Sequence, residues 1–284
     1  MGTRRSVQGK EFVGHRQVRL PFGKLTGPLG IDVDAELNTY VTDPGTDSVV
    51  ALDAAHRRTV LPFEGLWMPC GIKATDDGHV YVVDQGNDRV VVLDPDHGQT
   101  TLGFEGLSRP SGVDVAPDGT VYVTDSNNGR VLALTPAGEQ RELPFTFDEF
   151  ARPSGIVVAG DGSVIVTVRH YGDEPVKKLD PDGQETTLAF DRTGSPTDVD
   201  IDPAGNIYVT NFSADRLTHP VARLDPDGST SRVPFRHNVV RPIGIAVDRL
   251  GGLTVLDWRG AVFRLLGAGA PARPAVESLE HLRA

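Results

Sequence analysis

Short apolar runs recur along the whole chain, each closed off by Gly, Pro, Asp or Asn. One group shows the pattern: "GIKAT", "VYVVD", "RVVVLD" and "TTLGF", separated by "DDG", "QGND" and "DPDHG". Runs this short, rich in β-branched residues and bounded by turn formers, read as strands joined by tight turns. The group recurs every 41 to 46 residues, marked by a Pro-x-Gly-apolar landmark at Pro28, Pro69, Pro110, Pro153 and Pro242. A sixth landmark, Pro196-Thr197-Asp198-Val199, carries Asp in place of Gly. Four strands in some forty residues is the period of a propeller blade. Each unit has two apolar faces that it cannot bury alone, and a closed ring of six buries each face against a neighbour. The expected fold is therefore all-β: a six-bladed β-propeller of four-stranded antiparallel blades. The landmark glycine opens the innermost strand, where six backbones crowd the axis and a missing side chain is useful.

The ends of the chain indicate how the ring closes. Outer strands read "TVLPF", "TTLGF", "RELPF", "TTLAF" and "SRVPF", but the sixth copy stops after "AVFRLL". The missing run stands at the N-terminus, "VRLPF", Val18 to Phe22, which is expected to complete the last blade. The organisation expected is an extension over residues 1–17, a propeller over 18–266, and a tail over 267–284 whose "RPAVESLEHLRA" suits a short external helix.

Composition narrows the function. A net charge of −11 and a pI near 5.1 argue against nucleic acid, whose binding rests on a basic footprint. No stretch approaches a membrane span. One cysteine, Cys70, forbids an internal disulfide and suits a reducing cytosol. The start "MGTRRSVQGKEF" lacks the apolar core of a secretory signal, and its match to a myristoylation pattern at Gly2 and Ser6 is read as chance. The expectation is a cytoplasmic monomer that meets a small-molecule ligand or substrate, with no nucleic-acid or membrane partner.

The units "LPFEGLWMPCGIKATDDGHVYVVDQGNDRVVVLD" and "GFEGLSRPSGVDVAPDGTVYVTDSNNGRVLALT" resemble NHL repeats, and are similar to those in the propeller sensor domains of bacterial Ser/Thr kinases. The resemblance covers about Val18 to Leu266 and implies the propeller fold. NHL propellers include sensors, protein- and RNA-binding scaffolds, and enzymes such as streptogramin lyases.

Candidate chemistry lies on one face. The bottom turns are uniform, as in "DPDHGQ", "TPAGEQ" and "DPDGQE". The top loops differ: five residues in copies one to three, seven in copy four, nine in copy five and four in copy six. Loops on a rigid scaffold are where sites are built. Copy four, "VIVTVRHYGDEPVKKL", has Val168 where others place Asp43, Asp84, Asp125 or Asp257, and gains His170, Tyr171, Asp173 and Glu174. The repeated Asp is expected to accept N–H groups of its own turn. Imidazole beside phenol offers a base and an acid near neutral pH, and His219 ends the neighbouring loop. The catalytic candidates are His170, Tyr171, His219 and Asp198, the last a carboxylate near the axis that burial should perturb. Arg169, Arg241 and Arg259 are candidate partners for it. With Trp67, Phe150, Asn211, Phe212 and Trp258 they make up the expected substrate-binding set. Cys70 reads as a packing residue.

Resemblance to the streptogramin lyases implies a Glu and a His two apart at a strand end, another His one blade away, and a magnesium ion. His170 follows Val168 by two, but the Glu is absent and the preceding blade offers Asp125. The calcium-dependent gluconolactonase type is matched only in part, by Asn211, Asp198 and the turn aspartates. No cofactor is expected, with a divalent metal at the axis the open alternative. Two readings stand: an enzyme of lyase, isomerase or hydrolase type acting on an organic, natural-product-like substrate, or a non-catalytic ligand- or protein-binding propeller.

Overall fold

The computed structural model describes residues 16–169, 176–190, 195–212, 220–235 and 239–266. These form six four-stranded antiparallel sheets. Blade 1 runs through Ile31–Val33, Thr39–Asp43, Ser48–Leu52 and Arg58–Val60, from axis to rim. Blade 2 runs through Pro69–Ala74, Val80–Asp84, Arg89–Leu93 and Gln99–Thr101. Blade 3 comprises Val113–Val115, Val121–Asp125, Arg130–Leu134 and Gln140–Glu142. Blade 4 comprises Arg152–Val158, Val164–Arg169, Val176–Leu179 and Glu185–Thr187. Blade 5 comprises Pro196–Ile201, Ile207–Asn211, Val221–Leu224 and Thr230–Arg232. Blade 6 supplies Pro242–Val247, Leu253–Asp257 and Val262–Leu266 from the end of the chain.

The N-terminal segment closes blade 6. Arg16–Arg19 pairs antiparallel with Val262–Leu266, placing Val18 opposite Arg264. The strand thus lies two residues before the expected start at Val18. The "LPF" that follows it turns inward, Leu20 N–H donating to the Val262 carbonyl at 2.9 Å and Phe22 N–H to the Leu20 carbonyl at 3.0 Å. The same two bonds recur at Leu61 and Phe63 and at Leu143 and Phe145. The repeated Phe is therefore a plug beneath the seam rather than the end of the strand, and Phe22 is fully buried.

Six apolar clusters fill the six seams. Val49 of blade 1 packs on Ile72, Val82 and Val91 of blade 2. Leu256 and Val262 of blade 6 pack on Ile31, Val41 and Val50 of blade 1, which completes the ring. A second strand such as Val121–Asp125 is buried at every position because both of its faces meet a neighbour. No helix among the described residues is long and apolar enough to cross a membrane.

Closure by the N-terminus gives a direct test. Deleting residues 1–23 should expose the last blade's edge and remove Phe22, and Phe22→Ala alone should cost about 3–5 kcal/mol. Urea unfolding checks both. A deletion variant with parental stability would contradict the closure.

Candidate functional site

Around the axis the inner strands nearly touch. A Cβ on Gly30 would lie 2.1 Å from the Cys70 carbonyl oxygen, and one on Gly112 would lie 2.3 Å from that of Ser154. Threonines one strand out tie these seams together. Thr124 Oγ1 accepts Gly112 N–H at 2.7 Å and donates to the Ser154 carbonyl at 2.7 Å. Thr42 bridges Gly30 and Cys70 in the same way.

Asp198 replaces the glycine in blade 5. Its carboxylate reaches across the seam to accept Ile245 N–H of blade 6 at 3.0 Å, and Val199 N–H at 3.0 Å. The room on its other side comes from Gly155, where a Cβ would stand 2.6 Å from Asp198 Oδ1. No arginine among the described residues pairs with it directly; Arg169 acts on it through space. Burial dominates and pushes the carboxyl up to about 7.

Two residues further along the inner strands lies a charged layer. Alternate blades carry Asp32, Asp114 and Asp200, and blade 2 carries Lys73 between the first two. Lys73 Nζ stands 3.0 Å from Asp114 and 3.9 Å from Asp32. Burial opposes the ammonium, but the carboxylates of Asp114, Asp32 and Asp200 outweigh it and raise its pKa. Each aspartate also bridges to the next blade: Asp32 accepts Ala74 N–H at 2.8 Å, Asp114 accepts Val158 N–H at 2.7 Å, and Asp200 accepts Val247 N–H at 2.6 Å. Burial raises Asp32 and pushes Asp200 up to about 8. The sequence reading did not include Asp32, Lys73, Asp114 or Asp200. The signal was present two positions after the landmark Gly30, Gly71, Gly112 and Asp198.

These residues line a cavity of about 180 Å³ on the axis. Asp198 lies above the Lys73 layer, and Arg169, at the end of its strand, belongs to the same lining. Arg169 is exposed, and its guanidinium makes no hydrogen bond or ion pair with the described residues. The cavity is smaller than the roughly 300–1,000 Å³ of drug-sized pockets, so it suits a compact polar ligand.

Other expected site residues fall elsewhere. Asn211 is fully buried, and its side-chain oxygen accepts Ser195 N–H at 2.9 Å, so it faces the protein. Trp67 and Phe150 are well exposed on loops entering blades 2 and 4, outside the cavity lining. Phe212, Arg241, Trp258 and Arg259 gather on the top rim of blades 5 and 6, with the Arg241 guanidinium 5.3 Å from the Phe212 ring centroid and 5.6 Å from that of Trp258. His170, Tyr171 and His219 lie outside the described residues, as do Asp173 and Glu174. Cys70 is buried, and burial pushes its thiol up to about 12, as a packing residue requires.

The turn aspartates proved structural: Asp257 accepts Arg259 N–H of its own turn at 2.9 Å, as expected, but the bond common to all four was not foreseen. Their shared bond runs to the loop entering the same blade, 17 residues upstream. Asp43 accepts Thr26 N–H, Asp84 accepts Trp67 N–H, Asp125 accepts Ser108 N–H and Asp257 accepts Val240 N–H. Val168 abolishes this anchor in blade 4 and packs with Ala151 and Val166 instead. The longer entering loop compensates internally: Ala151 N–H donates to the Asp148 carbonyl at 3.1 Å, and Phe150 N–H donates to Asp148 Oδ1 at 2.9 Å.

Among the described residues no three His, Cys, Asp or Glu side chains converge as a metal would require. Asn211 accepts Ser195 N–H and Asp84 accepts Trp67 N–H, so these side chains are engaged with their own entering loops.

The comparisons agree with this architecture. Residues 107–134 match the NHL repeat family. A streptogramin B lyase structure aligns at 14% identity and TM-score 0.67, over 89% of this chain and 98% of its own. A catalytically inactive virginiamycin B lyase from Staphylococcus aureus with quinupristin aligns at 15% identity and TM-score 0.67, covering 88% and 99%. A gluconolactonase from Xanthomonas campestris aligns at 17% identity and TM-score 0.74, covering 89% and 90%. At these identities the likeness establishes the six-bladed propeller fold. No curated protein sequence matches the chain.

The raised carboxyls make stability depend on pH. Their ordinary value is 3.8, and folding lifts Asp198 to about 7 and Asp200 to about 8. Between those limits the folded chain holds protons that the unfolded chain has released, so stability is greatest below the window and falls as pH rises through it. Melting temperature should decline between about pH 5 and about pH 9, and Asp200→Asn should decline less. Parallel profiles for the two proteins would count against the raised carboxyl.

Proposed function

We propose that the protein is an enzyme that acts on a compact polar organic molecule in the axial cavity by acid–base chemistry of the lyase, isomerase or hydrolase type. The observation that carries this reading is Asp198: a carboxyl where the other blades have glycine, bordering a cavity, with its pKa moved to about 7. A group that titrates near neutrality both accepts and returns a proton at working pH. Asp198 is assigned the proton transfer, and Arg169 the orientation of an anionic or carbonyl oxygen at the mouth. His170, Tyr171 and His219 keep their catalytic assignment on the sequence pattern alone. The streptogramin lyase and gluconolactonase structures support the reading to the extent that the same fold carries enzymes of these kinds. The chemistry assigned here uses side chains of this chain and no metal.

A second reading, a non-catalytic ligand-binding or sensor propeller, is favoured by one specific fact. Both oxygens of Asp198 already accept backbone N–H groups, so the carboxylate also serves as a seam between blades 5 and 6.

Turnover separates the two. The protein is incubated with a mixture of small lactones, hydroxy acids and their dehydrated counterparts, and mass spectrometry follows each component. The enzyme reading predicts consumption of at least one component, reduced at least about 100-fold by Asp198→Asn and by His170→Ala. Asp182→Ala, on the opposite face of blade 4, should match the parent. If no component is consumed, or if Asp198→Asn turns over like the parent, the catalytic reading fails.

A further inference from the structure

The rim of blades 5 and 6 holds two guanidinium groups in an unusual state. The Arg241 guanidinium lies over the rings of Phe212 and Trp258, and the Arg259 guanidinium lies 6.0 Å from the Trp258 centroid. Both arginines are exposed, and neither guanidinium forms a hydrogen bond or ion pair with the described residues. Arg89 and Arg130 on the upper turns are engaged with Asp84 and Asp125, whereas Arg169 at the cavity mouth shares the unpaired state. In a chain of net charge −11, two uncompensated cations around one indole run against the overall field.

The backbone beneath them is fixed. Asp257 is buried and accepts Val240 N–H at 2.9 Å, Arg241 N–H at 3.1 Å and Arg259 N–H at 2.9 Å. Trp258 N–H donates to the Arg241 carbonyl at 3.0 Å, and Phe212 N–H donates to the Ser195 carbonyl at 3.0 Å. One carboxylate thus holds both arginine backbones while its oxygens are occupied by amides, so it does not neutralise the guanidinium groups by hydrogen bonding. Stacking uses the faces of a guanidinium and leaves its in-plane N–H donors free, in a fork that matches a carboxylate. A side chain already held against a ring also loses less freedom when it binds.

We propose that this rim is a recognition subsite for an aromatic or conjugated organic acid. Its carboxylate would be held by Arg241 and Arg259, and its apolar body would lie against the exposed indole of Trp258. This goes beyond the axial reading and gives the upper rim a ligand class of its own: an organic anion whose carboxylate is held on the rim.

Naphthoate serves as the probe and its neutral isostere naphthamide as the control. Binding is read from Trp258 fluorescence in a Trp67→Phe background, with no turnover involved. Naphthoate should quench saturably and weaken as salt is raised. Naphthamide, and naphthoate with the Arg241→Gln/Arg259→Gln variant, should each bind at least about tenfold more weakly, the loss expected for a charge-assisted pair. Asp198→Asn should leave naphthoate binding unchanged, so failure of the rim and failure of the axial chemistry read out separately. Naphthamide binding as well as naphthoate, the double variant binding like its parent, or inorganic phosphate competing as well as naphthoate would each overturn the proposal.

Discussion

The close approach of backbone to backbone around the axis governs this molecule. At five landmarks the inner strand carries glycine, and a Cβ on Gly30, Gly71 or Gly112 would fall within 2.3 Å of the next blade's carbonyl oxygen. Such contact leaves no room for side chains at that level. It also brings six strands near enough for a short hydroxyl, such as that of Thr124 or Thr42, to bond both members of a seam. The ring is therefore stitched by polar bonds at its centre and by apolar clusters between blades further out. Asp198 fits this layer only because Gly155 beside it has no Cβ, and because the carboxylate takes over the seam bond to Ile245.

A layer of charge follows from the same geometry. Side chains two residues beyond landmark positions line a narrow space, and three of them are aspartates with a single lysine among them. Burying carboxylates is costly unless they are paired or bonded. Asp114 has the closest lysine contact and its amide, whereas Asp200 has its amides and only the more distant field of Lys73. The imbalance appears as carboxyls that hold their protons into the neutral range. The carboxylates that staple the seams at Ile245 and Val247 are thus the same side chains that burial holds protonated toward neutral pH.

Much of the fold was legible because its signals are local. Turn residues, β-branched runs and a landmark every 41 to 46 residues are each set by neighbours in sequence, and the missing sixth outer run announced the N-terminal closure. The strand's position, Arg16–Arg19 rather than from Val18, was less legible, because the "LPF" that looks like its end is the plug that follows it. Of the candidate site, Asp198 and Arg169 were visible as departures from the repeat and do share the axial lining. The charged layer was overlooked because Asp32, Asp114 and Asp200 look like ordinary alternating polar positions until the ring brings them together. The turn aspartates showed the reverse: their repetition pointed to a structural role, but the partner, 17 residues upstream, is a tertiary contact that turn chemistry alone does not reveal.

A pair of axial carboxyls, Asp198 and Asp200, is held by burial toward neutral pH inside the ring. Carboxyl carbon resonances of aspartate-labelled protein, followed through a pH titration, test this most directly. Two aspartates should titrate with midpoints near 7 and 8, the first disappearing in Asp198→Asn and the second in Asp200→Asn. If every aspartate resonance of the folded protein titrates below about pH 5, in the ordinary carboxylate range, the axis holds a staple and no proton-transfer group.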